Sequence, residues 1–280
     1  MTWKSIEYNK TKLFSKLFLD YISKKTHFSD LISDFPSIDN FKNQIKLKSD
    51  NYDNSQRKEL VRVIKHQYKG INLKNVQINN IDSLLKDNTF TITTGHQLNL
   101  LTGPLYFIYK IISVINLSES LNKKYKKYNF VPIYWMASED HDFKEINNFS
   151  VQGKKFEWDS DQTGMVGDFK LNNFKNILED FENHMINSAY GKELCTMVKK
   201  AYSSSNNLAD ATRIFVNKIF QEFGLIIIDA NNSKLKHLFK KIIISEVKNN
   251  IIKNYSKESI KKLKDLNYKI QPSPRDINLF

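Results

Sequence analysis

Two short polar clusters in this 280-residue chain carry side chains that can do chemistry. Gly95-His96-Gln97 follows a β-branched run, and Glu139-Asp140-His141-Asp142 follows an apolar one. A glycine lets a ligand approach the backbone closely, and a histidine beside it can donate a hydrogen bond to a phosphate or a developing oxyanion. The acidic cluster packs three carboxylates and an imidazole into four residues. Buried without a cation, such carboxylates repel, and a pKa rises towards the general-base range. The same acids could bind a substrate amine or hold Mg²⁺. Local readings compete with both. His96 and Gln97 could simply tie down their loop, and Asp142 with Glu145 has the spacing of a helix capping box. That leaves Asp140 and His141 as the chemical candidates of the second cluster.

The elements around these clusters place them together. Phe90 to Thr94 reads as a buried strand that Gly95 breaks. No helical pattern follows until Gly103-Pro104, where Pro104 suits the first position of a helix. Leu105, Ile108, Ile112, Ile115 and Leu117 recur at helical spacing, ending near Leu121. Val131 to Met136 is a second strand. Strand, loop, helix and strand make a βαβ unit, whose ligand site lies outside the carboxyl ends of the strands. Leu225 to Asp229 reads as a further buried parallel strand, and Asp229 stands at its carboxyl end.

The stretches TTGHQLNLLTGPLYFIYK and VPIYWMASEDHDFKEIN resemble the signature of the bacillithiol biosynthesis cysteine-adding enzymes, and the tail QPSPRDINLF resembles a later segment of that family. The resemblance covers most of the chain beyond about residue 90, with a looser fit before it. It implies a ligase that forms a carbon–nitrogen amide bond, joining L-cysteine to glucosaminyl-malate in the last step of bacillithiol synthesis. Activation of the cysteine carboxylate would make ATP the co-substrate, with Mg²⁺ as a possible companion and no resident metal, although no KMSKS-like loop is present. The implied catalytic residues are His96, Asp140 and His141. The implied binding residues are Gly95, Gln97, Thr102, Gly103, Pro104, Tyr106, Lys110, Trp135, Glu139, Asp142 and Asn147. The chain corresponds to the N-terminal half of such an enzyme, which makes the C-terminal half or a second copy its expected partner. Two rivals stand beside this reading: an inactive truncated or split-enzyme half, and a basic nucleic-acid-binding module.

Composition narrows the classes further. The net charge of +13 would attract anions, but lysine, asparagine and isoleucine are abundant throughout, which points to compositional bias rather than a dedicated patch. Lys123 to Tyr128 alternates basic and aromatic residues like a nucleic-acid contact, yet its place between helix and strand suits a solvated loop. No apolar run approaches the ~18 residues of a membrane span. The start MTWKSIEYNK lacks a signal-peptide core, so a cytoplasmic protein is expected. A single cysteine, Cys195, excludes an internal disulfide and a multi-cysteine zinc site.

The expected fold is α/β, a Rossmann-like parallel sheet with a helical N-terminal segment and inserted helices and β-hairpin. Residues 1–88 form the helical segment packing on the core, and residues 89–148 the first βαβ unit with the motifs. Residues 149–207 carry the inserted hairpin and helices, and residues 208–280 return to the core, truncated at the end. Within these segments, single helices are expected over residues 12–22 and 234–255. A hairpin is expected around Gly153-Lys154, and Ile277 to Phe280 reads as a strand-like terminus.

Overall fold

The structure, a computed structural model, describes residues 4–271 and 273–279. Met1 to Trp3 of the expected leaderless start, Pro272 of the family-like tail and Phe280 of the expected terminal strand lie outside the described residues. The chain divides into two compact units, one from Leu47 to His237 and the other made of the residues up to Lys46 with those from Leu238 onward.

The first unit holds five strands: β1 (Thr89–His96), β2 (Asn129–Met136), β3 (Asn148–Val151), β4 (Lys154–Glu157) and β5 (Ile226–Asp229). Strands β1, β2 and β5 form a parallel sheet in the order β1-β2-β5, and β3 pairs with β4 in an antiparallel hairpin. The fold is therefore α/β with a Rossmann-like sheet, as expected. β2 is buried from Phe130 to Tyr134, the near-continuous apolar pattern of an interior strand covered on both faces. β5 is a border strand, yet side chains close its outer edge. Gln67 bonds both the N–H and the carbonyl of Asp229 at 3.0 Å. The Tyr68 hydroxyl accepts from the Ile227 N–H at 2.8 Å, and Gln77 donates to the Leu225 carbonyl at 2.8 Å. An edge blocked in this way cannot template another strand.

Gly95 does not break β1. The strand runs on to His96 because β2 is long enough to pair it, Gly95 with Trp135 and His96 with Met136. Pro104 is the N-cap rather than the first helical residue, because its ψ of 147° is extended, and the helix spans Leu105–Lys124. The face of that helix also differs from the expected one. Phe107, Ile111, Val114, Ile115 and Leu121 are buried, whereas Leu105 and Ile112 are exposed. The hairpin sits one residue earlier than expected, since Gln152 and Gly153 both take positive φ, 48° and 79°, as a tight two-residue hairpin turn requires. Phe149 and Phe156 stack across it at 5.0 Å and meet Phe181 of the helix Phe174–Met185.

The helix expected over residues 12–22 begins four residues late, and the one expected over residues 234–255 is broken. Lys12, at φ 58°, separates Tyr8–Thr11 from Lys16–Ile22, and the Ser15 hydroxyl restarts the chain by accepting from the Phe18 N–H. The 234–255 pattern divides into Ser233–Leu238, Lys240–Asn249 and Ile251–Asp265. Asn250 makes the second break in the left-handed region, which asparagine tolerates better than most residues. The buried Glu246 carboxylate holds this corner by accepting from the Ile252 N–H at 2.9 Å and the Asn278 N–H at 2.8 Å. Ile277 to Leu279 consequently form no strand, contrary to expectation. The Asn278 N–H between them is held by the Glu246 side chain instead.

The Ile252 N–H, followed by Asn278, holds the Glu246 carboxyl below its usual 4.5. A depressed carboxylate stabilises the fold fully above its unfolded pKa and loses that contribution as pH falls through the folded value. Glu246→Gln should therefore destabilise its unit at neutral pH, with the difference from wild type shrinking in acid. Thermal melts from neutral pH down to about 3 would check this, and a constant difference would count against it. No helix among the described residues is long and apolar enough to cross a membrane.

Candidate active site

The register sets His96, Met136 and Asp229 level with one another across the sheet. The three carboxyl ends therefore lie side by side, as a parallel α/β site requires. His96 ends β1 with its Nδ1 3.1 Å from the Gln97 carbonyl. A carbonyl only accepts, so Nδ1 carries the proton and the neutral ring keeps a lone pair on Nε2. Its ring lies 5.1 Å from Phe107 and 5.2 Å from Tyr106. Burial pushes the imidazole pKa below its ordinary 6.5, with help from the Lys110 charge and against the pull of hydrogen bonds to the Gln97 carbonyl and the Asn99 side chain. Lys110 is not a free surface lysine, because its Nζ donates to the Gly95 carbonyl at 2.5 Å.

The side chain of Gln97 ties this strand end to the acidic loop. Its Nε2 donates to Asp140 Oδ2 at 2.7 Å and to Glu145 Oε2 at 2.9 Å. Asp140 Oδ1 accepts from the His141 N–H at 2.7 Å and the Asp142 N–H at 3.0 Å. Partial burial raises the Asp140 pKa, but these donors outweigh it and hold the carboxyl below its usual range. The expected upward shift towards a general base does not occur at Asp140, because the cluster is neutralised by N–H donors rather than left to repel. Asp142 caps the short helix Phe143–Ile146 by accepting from the Glu145 N–H at 3.2 Å. The Glu145 carboxylate turns to Gln97 instead of back to the cap, so half of the expected box forms. Glu139 Oε2 is buried with no hydrogen-bond partner.

The sequence profile of the family described as "Bacillithiol biosynthesis BshC, N-terminal Rossmann-like domain" matches residues 1–280. The chain belongs to this family. Among its relatives is a protein of Flavobacterium psychrophilum, 46% identical over 279 residues, which cover 98% of the chain and 52% of the relative. A Flavobacterium johnsoniae protein is 44% identical over 275 residues, covering 98% and 52%. One from Christiangramia forsetii is 43% identical over 284 residues, covering 100% and 53%. All three bear the name "Putative cysteine ligase BshC". The chain spans about half the length of these curated relatives.

The remaining residues of this BshC-family domain fall into distinct groups. Trp135 is half-buried beside Gly95, where an added Cβ would meet its ring no closer than 3.8 Å, so the fold itself tolerates a side chain at Gly95. Thr102 and Gly103 turn the loop with positive φ, 74° and 52°. Pro104 and Tyr106 form its exposed rim, and the side chains of His141 and Asp142 also face solvent. Asn147 is buried away from solvent, accepting from the Trp158 N–H at 2.7 Å and donating to the Trp158 carbonyl at 3.2 Å. Its visible bonds hold the base of the hairpin. No group of three or more His, Cys, Asp or Glu side chains among the described residues could hold a metal ion.

Three contributors escape the motif reading. Ser138 donates to Asp229 Oδ1 and so links the ends of β2 and β5. Gly167 donates its N–H to the Ser138 carbonyl at 2.9 Å, and Val166 donates to the Asp140 carbonyl at 2.8 Å. A Cβ at Gly167 would come within 2.6 Å of Ser138 Cβ, so only glycine lets this loop clamp the acidic one. Asn99 packs under Gly103. Ser138 was open to notice, standing directly before Glu139; Asn99 and Gly167 meet the site only through folding.

Proposed function

We propose that this strand-end site serves cysteine addition in bacillithiol biosynthesis, forming an amide bond between the carboxyl of L-cysteine and the amine of glucosaminyl-malate. The observation that carries the reading is the pairing of a neutral, buried His96 with an ionised Asp140 through Gln97. A neutral imidazole with its lone pair on Nε2 suits the base that takes the proton of an attacking amine. An ionised Asp140 and the unpartnered Glu139 Oε2 suit the ammonium group of an amino acid. Lys110 places a positive charge at the end of β1 for a carboxylate or phosphate.

Amide formation from a free carboxylate needs an activated acyl group, and ATP is the co-substrate proposed here. As the C–N bond forms, the acyl carbon loses its phosphate-bearing leaving group and the amine proton passes to His96. The described residues do not form an all-protein Mg²⁺ cage. Mg²⁺ arriving with nucleotide phosphates would need few protein ligands, and no step here depends on it.

The test is mass spectrometry of a full-length family member and of the 280-residue chain with L-cysteine, glucosaminyl-malate and ATP. The full-length protein should release bacillithiol together with a hydrolysed nucleotide. Absence of product from it would defeat the ligase reading, and undiminished product without ATP would defeat carboxylate activation by ATP.

A further inference from the structure

Gln97 stands among the residues expected to bind substrate, and its surroundings give it a different task. Its Nε2 reaches two carboxylates 43 and 48 positions away in sequence, Asp140 Oδ2 at 2.7 Å and Glu145 Oε2 at 2.9 Å. A carboxylate only accepts, so the group turned towards both is the NH₂, and each of its two protons is committed. The loop side of this bridge is itself fixed. Asp140 Oδ1 accepts from the His141 and Asp142 N–H groups, and the Glu145 N–H donates to Asp142 Oδ1.

The chemistry of the bridge calls for an amide. A methionine would fill the same space and leave two carboxylates together without their donor, and a glutamate would add a third carboxylate. Like charges sharing one site raise the pKa of one of them. Partial burial already works against charge on Asp140, and the Asp142 N–H, the Gln97 amide and the His141 N–H together outweigh it, with help from the His141 charge. The other titratable groups around the bridge are His96, Lys110, Glu139, His141 and Asp142. Among the described residues, none of their side chains donates to Asp140 Oδ2 or Glu145 Oε2, so none replaces the amide.

We propose that Gln97 is a positioning residue and not a substrate ligand, its amide pinning the Asp140 and Glu145 carboxylates to the strand end that carries His96. Its consequence for turnover rests on the cysteine-addition reading of this site. Glu145, whose spacing made it a capping residue, thereby joins the site as the second carboxylate on the bridge.

Gln97→Met and Gln97→Glu, each compared with wild type in two measurements, test this. The first needs no substrate: the Asp140 carboxyl is titrated by NMR in the 280-residue chain. Its pKa should rise in both variants, through the lost donor in one and the added charge in the other. An unmoved Asp140 in either folded variant would overturn the proposal. The second is steady-state kinetics in a full-length family member. Both variants should lose turnover at neutral pH, by up to about 10²-fold for carboxylates displaced by an ångström. Relative to wild type, Gln97→Glu should recover as pH falls, because its protonated side chain regains one donor. Gln97→Met should fall further, because Asp140 gains its proton earlier. Ratios to wild type that stay flat with pH, or that move together, would overturn the positioning role. A wild-type protein that makes no bacillithiol would defeat the reaction assigned above, and the titration would then decide the bridge by itself.

Discussion

His96→Ala, placed in a full-length family member, is expected to lower thiol formation by ~10²–10⁴-fold, the contribution of a positioned general base. The effect should fall on turnover, since the Nε2 lone pair is used when the amine loses its proton. Stability should change less, because the ring's hydrogen bonds are to the adjacent Gln97 carbonyl and the nearby Asn99 side chain, although its packing against Phe107 will be lost. Burial holds the His96 pKa below 6.5, so the wild-type rate should stay level from neutral pH down past 6.5 before it declines. Steady-state kinetics across pH would check both statements. Near-normal turnover with a sharply lowered melting temperature would make His96 a structural residue.

Gly103→Ala should be the most damaging single methyl group in the site. Gly103 sits at φ 52°, ψ −130°, a conformation closed to residues with a Cβ at a cost of about 1–3 kcal/mol. The added Cβ would also lie 2.4 Å from Asn99 Cβ, which is backbone-anchored and cannot rotate away. Overpacking of this kind costs about 1–3 kcal/mol more. Thermal denaturation should register the loss, and the loop carrying Thr102 and Pro104 should shift. Gly95→Ala is the control, since its Cβ meets only ordinary contacts at 3.8 Å. Equal stability for the two variants would contradict the geometry.

Much of the site was legible because strand ends announce themselves. The β-branched run before Gly95 and the apolar run before Ala137 are short and followed at once by polar residues, so the βαβ unit and its functional edge follow from pattern alone. The first run is not the buried strand its residues suggested: on a border strand it alternates half-buried Phe90, Ile92 and Thr94 with exposed Thr91 and Thr93. Side-chain partnerships were not legible. Glu145 has the spacing of a capping box, but Gln97, 48 positions away in sequence, competes for its carboxylate and wins. The same amide lowers the Asp140 pKa that clustering alone would raise. Periodicity failed where one residue changes the backbone hand, as at Asn250, because a left-handed residue interrupts a helix without interrupting its apolar spacing. It also misassigned the crossover helix, where Leu105 and Ile112 belong to the exposed stripe and Phe107 and Ile111 to the core.

The central claim, that substrates meet this chain at the ends of β1 and β2, is tested most directly by NMR of the chain itself. L-Cysteine and glucosaminyl-malate would be titrated into isotopically labelled protein while the His96 imidazole and the amides of Gln97, Trp135 and Asp140 are followed. Saturable shifts should converge on those residues, with the His96 ring remaining neutral at pH 7 before ligand is added. Saturable binding that leaves all four unmoved, or a His96 ring already protonated at pH 7, would contradict it.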